Sequence, residues 1–518
     1  MKAAATAVLL LFTLLPAAYS QVAPCVNGLA TIGGVSYNCS NVDLMSHVPL
    51  DAMGALETGN DVWGWTDPET GREYALMGLD NGTFFVDVTS PETPLLMGTL
   101  PTATTPRLWR DMKVYANHAF IGSEAFGHGL QVFDLTRLRN LQPQASRVFS
   151  TDVTYTGTDP YTLGSSHNVV INEDTGFAYV VGARDLNGDR VCAAGLYMVD
   201  INDPQNPAFA GCFAADGYTH DAQCVIYDGP DPTYQGQEIC FAANEDTVTL
   251  VDVTDKAAPV MISQTAYPNV GYTHQGWLTE DKRYFLVNDE LDERIFDLNT
   301  RTLIFDVSNL QTPMFIGAYL HPTRSVDHNL YIVGDHAFQA NYTSGLRILN
   351  IASLNASGDL GGISTIGYFN TYRFSDCGAQ VEVTCRAFRG AWSNYPFFAS
   401  GVVLVSDIEG GLFVVKPTNI GTSTPPDPSE PLAVELEAFP NPFASQTIIR
   451  LATSVEQEVR IEVFDVLGRR VALVHDGVVS ATSAQEIPFD GSSLPGGVYV
   501  VRASGEAFSR SIRISIIR

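Results

Sequence analysis

GYTHDAQC at residues 217–224 returns as GYTHQGWL at 271–278, a step of 54 residues. The chain has no low-complexity composition, so this recurrence points to a repeated structural unit. Working outward from it, seven stretches share one pattern: TFFVDVTSPETP (83–94), LQVFDLTRLRN (130–140), LYMVDINDPQNP (196–207), VTLVDVTDKAAP (248–259), LIFDVSNLQTP (303–313), LRILNIASL (346–354) and GLFVVKPTN (411–419). Each is an alternating apolar run closed by turn residues, the pattern of a strand entering a tight turn. A short apolar run such as AFAGCF or MFIGAYL usually follows and adds a strand. Upstream of each copy lies another strand, among them YALMGLD, AYVVGARD and YFLVNDE. Further upstream comes an apolar segment with a polar center: WRDMKVY, SHNVVIN, THDAQCVIY, THQGWL or DHNLYIV. Four short antiparallel strands per unit, repeated seven times at about 45–65 residues, indicate radial repetition around a channel. The expected fold is all-β, a seven-bladed β-propeller; solenoid rungs are much shorter, and a sandwich does not repeat seven times.

The repeat gives one histidine a fixed place. His167, His220, His274 and His328 follow one another at steps of 53, 54 and 54 residues. Arg110 takes the same place one unit earlier, and Trp63 and the segment Trp392–Asn394 take it in the terminal units. The first strand of a propeller blade lines the central channel, so Arg110 and the four histidines are expected to converge there.

Composition narrows the function. The formal charge is −28 and only 5 of 29 basic residues are lysines, so the positive surface that a phosphate backbone requires is missing and nucleic acid is excluded as a partner. Residues 1–20 read as a secretory signal: Lys2, an apolar run from Ala3 to Leu15, then PAAYS before Gln21. No cysteine follows the expected cut, which argues against a lipid anchor. No later stretch approaches the roughly 20 apolar residues of a transmembrane segment. Eight cysteines suit the oxidising compartment that this implies, and their spacings suggest the pairs Cys25/Cys39, Cys192/Cys212, Cys224/Cys240 and Cys377/Cys385. Cys192 and Cys212 flank the turn INDPQNP, and Cys224 and Cys240 flank YDGPDPTYQG, so each of these two pairs is expected to face across a hairpin. Zinc ligation is the rival reading, although no Cys-x-x-Cys occurs.

Residues 21–416 therefore form the expected propeller, and 417–436 a Pro/Ser/Thr-rich linker. Residues 437–518 alternate in strands split by PNP, LGR and PGG turns, as expected of a small C-terminal β-sandwich. The order FPNPF (439–443), VFDVLGR (463–469) and LPGGVY (494–499), closing on a basic strand, resembles the type IX secretion sorting domain (type A) of Bacteroidetes-like bacteria. That resemblance implies engagement of the type IX secretion machinery and passage through the periplasm to the cell surface or extracellular space. SHNVVINEDTGFAYVVGA, GYTHDAQCVIYDGPD, THQGWLTED, NYTSGLRILNI and SGVVLVSDIEGGLFVV, across about residues 25–420, resemble the choice-of-anchor B proteins with their LVIVD-type propeller repeats. Variable C-terminal anchors define that family, and it implies architecture and location more than chemistry.

Two chemical readings of the histidine ring stand side by side. Neutral imidazoles with nearby carboxylates suit a divalent ion such as Zn, Mn, Fe or Ni, and the candidate carboxylates are Asp111, Asp221, Glu124, Glu245, Asp289 and Glu290. Alternatively, inner-strand polar residues bond one another and recur because the blade recurs. Asp185, Asn187 and Asp189 have the one-three-five spacing of a calcium loop, but Arg190 and Leu196 occupy places where such a loop wants Gly and Glu; a hairpin tip explains them as well. His128 sits in a Gly-bounded turn. No motif for nucleophilic catalysis or phosphate binding occurs, although a site assembled from separate blades needs none. The expectation is an exported module that binds a ligand or protein, with Arg110, Asp111, Asp221, Glu245 and Asp289 as channel ligand-binding candidates. The alternative is an extracellular metal-dependent hydrolase or lyase using the channel histidines.

Overall fold

The strand Gly82–Asp87 is buried at all six positions, and this two-sided burial explains why the units stack. Alternation sends Phe84 and Val86 to one face and Phe85 to the other. Phe84 and Val86 join an apolar cluster with Leu404, Leu412 and Val414, whereas Phe85 joins one with Phe133, Ile121 and Leu135. Sheets that are apolar on both faces cover each other by arranging themselves around an axis.

The computed structural model describes residues 20–373, 386–418, 420, 434–453, 457–465, 469–479, 485–505 and 509–518. Two compact units divide at Pro425/Pro426. In the first, seven antiparallel sheets follow one another as the blades of a propeller. Their innermost strands are Gly59–Thr66, Arg110–Tyr115, Asn168–Asn172, Asp221–Ile226, Thr273–Leu278, Leu330–Val333 and Ala391–Tyr395. An apolar cluster fills each of the seven boundaries between neighbouring blades. In six blades the register between the third strand and its outer partner shifts at an equivalent bulge, as at Phe85/Val86 and Met198/Val199. Such bulges increase strand twist.

The last blade draws its fourth strand from the other end of the propeller: Val42–Val48 pairs with Gly411–Pro417, with His47 opposite Phe413. The ring is thereby closed by hydrogen bonds between the first and last units. The sixth blade is also extended, since Val35–Ser40 adds to Ser364–Phe369 and Leu29–Ile32 to Val35–Ser40. The disulfide Cys25–Cys39 ties this N-terminal hairpin.

Cys224 and Cys240 are direct register partners on paired strands and form a disulfide. Cys192 and Cys212 are also joined, but not across a hairpin as the turn suggested. Cys212 lies opposite Tyr197, whereas Cys192 belongs to the turn Val191–Ala194 preceding the third strand. The third strand starts at Leu196, too late to include Cys192. Cys377 and Cys385 lie outside the described residues, as do residues 1–19 of the signal and most of the linker.

The second unit has two sheets. Val434–Phe439, Gln446–Thr453 and Gln485–Asp490 form one; Arg470–Val479, Gln457–Asp465, Gly497–Gly505 and Ser509–Ile516 form the other. Ile449, Leu451, Ile461, Val463, Val501 and Ile514 are among the buried residues of their shared core.

Candidate functional site

The four repeated histidines stand at the starts of adjacent innermost strands and converge. Ring centroids are separated by 4.3 Å from His167 to His220, 4.0 Å from His220 to His274, and 4.2 Å from His274 to His328. Trp392 continues the arc 4.5 Å beyond His328. Together with Glu124, Glu290, Trp109, Tyr218 and Tyr272, these residues line a cavity of about 280 Å³.

Neighbouring blades fix two of the imidazole tautomers. His220 Nδ1 donates to the His274 carbonyl at 2.8 Å, and His328 Nδ1 to the Trp392 carbonyl at 2.5 Å. A carbonyl only accepts, so in both rings the proton sits on Nδ1 and the lone pair on Nε2. His274 lies beside the His328 carbonyl, outside hydrogen-bond geometry. His167 differs, because its Nδ1 meets Glu124 Oε1 at 2.7 Å.

Electrostatics favour neutral rings. Burial, reinforced by the other histidines, holds His220 and His274 well below the usual imidazole range, and burial takes His328 down to about 3. Burial also pushes Glu290 up to about 7, against the hydrogen bond from Tyr342 Oη at 2.6 Å. For Glu124 burial works upward, but the bond from His167 and the charges of His167, Arg107 and Arg184 outweigh it, leaving the carboxyl below its ordinary range. Glu290 Oε2 is 3.9 Å from His274 Nε2, and Oε1 is 3.7 Å from His328 Nε2. One ligand atom each from His274, Glu290 and His328 falls within 4.8 Å of the others. Two neutral imidazoles and a carboxylate at that separation can share one borderline-soft divalent ion.

Arg110 does not join the ring. Its guanidinium turns into the boundary between two blades, donating from Nε to the Leu79 carbonyl at 3.0 Å and lying 3.1 Å from His128 Nε2 through Nη1. Trp109, one residue earlier, lines the cavity instead. Burial lowers Arg110 to about 10, and burial together with the Arg110 charge takes His128 to about 4. Asp289 is likewise withdrawn, because its carboxylate accepts the amides of Gly271, Tyr272, Leu291 and Asp292 and the hydroxyl of Tyr267. Glu245 lies against Tyr272 and outside the cavity lining. Its carbonyl accepts Thr273 N–H at 2.6 Å. The Asp185 carboxylate accepts the Asn187 and Asp189 amides and so closes its own turn.

Asp111 and Asp221 lie deeper along the inner strands, with a residue that sequence reasoning passed over. Lys113 Nζ is 2.7 Å from Asp111, 3.7 Å from Asp61 and 4.5 Å from the Trp63 ring center. This tier adjoins a second cavity of about 520 Å³, walled by Trp63, Trp277, Tyr331, Tyr395 and Phe397. Burial alone would lower Lys113, but Asp111 and Asp61 outweigh it and raise it. Burial raises Asp221 to about 7.

The structure also explains the glycine and tyrosine that precede the histidine in the Gly-Tyr-Thr-His motif. Tyr218 and Tyr272, two residues before their histidines, line the first cavity. Gly217 has φ +70°, and a Cβ on Gly271 would meet Asp292 N at 2.5 Å and Asp289 Oδ1 at 2.8 Å. The repeated tyrosine was thus a site signal in plain view.

With this geometry established, comparison with known proteins adds location. Residues 437–517 match the family "Secretion system C-terminal sorting domain". That module directs export by the type IX system, so the protein reaches the cell surface or the exterior. Among the described residues no helix is long and apolar enough to cross a membrane. No curated protein matches the chain. Among solved structures it is similar to PorZ, a surface component of the type IX secretion system of Porphyromonas gingivalis, at 12% identity and TM-score 0.41. The alignment takes in 87% of this chain and 58% of PorZ. It is similar to Kuenenia stuttgartiensis hydrazine synthase at 10% identity and TM-score 0.44, over 68% of this chain and 93% of that one. A putative 6-phosphogluconolactonase from Bacteroides uniformis follows at 15% identity and TM-score 0.40, over 64% and 91%.

Proposed function

We propose that this protein is an exported propeller that binds its ligand in the histidine-lined cavity, and that a divalent transition-metal ion held by His274, Glu290 and His328 belongs to that site. The carrying observation is the gathering of those three ligand atoms within 4.8 Å. The carbonyl of Trp392 that accepts a hydrogen bond from His328 Nδ1–H supports it, since an orienting partner on the far nitrogen is the usual second half of a histidine metal site. The sequence resemblance to choice-of-anchor B proteins with LVIVD repeats fits an exported propeller of this kind. Elemental analysis of protein purified without chelating resin tests the proposal. Close to one transition-metal ion per chain is expected, lost in both His274→Ala and Glu290→Gln while circular dichroism stays unchanged. A parent protein that takes up no Zn²⁺ on equilibrium dialysis sinks it.

A second reading, a metal-dependent hydrolase or lyase, has its own support. The His167–Glu124 pair is a hydrogen-bonded imidazole and carboxylate on the same cavity, not needed for the three-ligand set, and so free to move a proton. His167→Gln should then abolish turnover on a substrate panel while metal content is retained; equal turnover in the variant rejects it.

For the C-terminal module, deletion of residues 437–518 should leave a folded propeller in the periplasm. Normal appearance of the truncated chain in the medium contradicts that expectation.

A further inference from the structure

The larger cavity, of about 520 Å³ beside Lys113, has two unlike sides. One is aromatic: Trp63, Trp277, Tyr331 and the pair Tyr395 and Phe397 reach it from four different blades. Their rings meet edge to face, with centroids 5.6 Å apart from Trp63 to Tyr331, 5.1 Å from Trp63 to Tyr395 and 5.0 Å from Trp277 to Tyr331. The other side is polar and carries Lys113 and Asp221. Trp277, Tyr395, Phe397 and Asp221 are partly exposed, so the cavity opens to solvent. Its volume is that of a small-molecule site.

A plug of aromatic rings that merely closed the channel would leave its polar tips bonded within the protein. Other buried tyrosines obey that rule: Tyr267 donates to Asp289, Tyr342 to Glu290 and Tyr179 to Glu238. Tyr331 does not. It is 3% exposed, yet among the described residues its hydroxyl makes no hydrogen bond. The charges that bear on it are those of Lys113, Asp61, Asp221 and Asp111, which places the hydroxyl against the polar side. A buried hydroxyl without a partner costs about 1–3 kcal/mol. Bonding capacity is unspent around it as well. Lys113 Nζ donates to Asp111 Oδ1 at 2.7 Å and to the Met112 carbonyl at 3.2 Å, while Asp61 at 3.7 Å is beyond hydrogen-bond reach, so one of its three hydrogens remains. Asp221 Oδ1 accepts the Ala222 amide at 2.7 Å, and Oδ2 makes no hydrogen bond among the described residues.

The same groups define what fits. Lys113 stands 4.5 Å over the Trp63 ring, where it repels a second cation. Asp61, Asp111 and Asp221 disfavour an anion. A wholly apolar ligand would strip water from Lys113 and Asp221 without replacing its bonds. The remaining class is a neutral molecule with an apolar face and several hydroxyls. We infer that this cavity binds a neutral pyranose sugar, its C–H face against the aromatic side and its hydroxyls bonded to Tyr331 Oη, Lys113 Nζ and Asp221 Oδ2. The site is separate from the histidine cavity and needs no metal. A protein delivered to the cell surface or the exterior meets such sugars in glycans.

The test uses the full-length exported chain and the methyl glycosides of glucose, galactose, mannose and N-acetylglucosamine as probes, followed by tryptophan fluorescence and saturation-transfer NMR. Saturable binding of at least one is expected, with saturation passing to its ring protons. Tyr331→Phe keeps the ring and removes only the hydroxyl; it should weaken that binding about tenfold and leave the melting temperature no lower than the parent's. Trp277→Ala should abolish binding. His274→Ala should retain it, so failure here is distinguishable from failure of the transition-metal proposal. Saturable binding by none of the four glycosides overturns the inference, as does equal affinity in Tyr331→Phe. Binding of tetramethylammonium in their place would identify a cage for cations and overturn it too. A Tyr331→Phe variant less stable than the parent, with unchanged sugar binding, would show that the hydroxyl serves the fold.

Discussion

At one end of the channel four imidazoles stand 4.0–4.3 Å apart, with Glu290 facing two of them and Glu124 bonded to a third, His167. Deeper along the same inner strands, one ammonium, Lys113, meets Asp111 and Asp61 beneath Trp63. Both regions bury titratable groups, but they are resolved differently. Lys113 brings a counter-charge to its neighbours, so that tier carries its own cation, bonded to Asp111 and 3.7 Å from Asp61. The histidine end leaves the Nε2 lone pairs of His220 and His328 at a cavity, with no donor bonded to them among the described residues. Burial alone therefore does not mark a binding site; burial with unspent ligand capacity does.

The comparison breaks most readily at Lys113. Lys113→Met strands Asp111 and Asp61 without a cation, and breaking a buried pair from one side costs about 3–5 kcal/mol. Urea unfolding should show that loss while the metal content of the histidine end is unchanged. Unaltered stability would mean that the tier is not held by charge.

Cys224 lines the aromatic cavity and its disulfide partner is Cys240. Replacing both with serine opens a loop of 16 residues' separation, for which chain entropy suggests a cost of about 3 kcal/mol. The effect should be confined to stability and to the aromatic half. A variant that unfolds at the parent's denaturant midpoint denies the bond that role.

Opposite pH dependence gives the finest test. Burial raises Asp221 to about 7 in the fold. The unfolded chain gives up this proton near 3.8 and the native chain only near 7, so the parent loses stability relative to Asp221→Asn as pH climbs through that window. Asp221 is partly exposed, which reduces the expected advantage of the variant at pH 8 to about 1–2 kcal/mol; at pH 4 the two should coincide. The histidine end has the reverse sign. Unfolded imidazoles take up protons below about 6.5 while native His328 resists to about 3, so chelated parent protein should lose stability relative to His328→Gln as pH falls. Parallel slopes for the two variants would erase the distinction between the two ends.

The propeller was legible because its evidence is local and repeated. Period-2 alternation closed by Asp and a turn recurs whatever the neighbours are, and steps of 53–54 residues keep one histidine in register from blade to blade. The sorting motifs FPNPF, VFDVLGR and LPGGVY were equally local. Partnership could not be read that way. Arg110 shares the repeat position of the histidines, yet its longer side chain finds the Leu79 carbonyl and His128 in a blade boundary. Asp289 and Glu290 are adjacent in sequence, but Asp289 ends its strand bonded to a nest of amides while Glu290, in the turn that follows, lines the cavity. Nor did the pattern show that Val42–Val48 would close the ring on Gly411–Pro417. The sequence by itself determined which residues alternate, how many units repeat and which imidazoles share a level. Tertiary structure alone decided which lone pairs, carbonyls and carboxylates were left to meet, because hydrogen-bond and charge compensation depend on neighbours brought together across blades, and a shift of one residue sends a side chain to the opposite face.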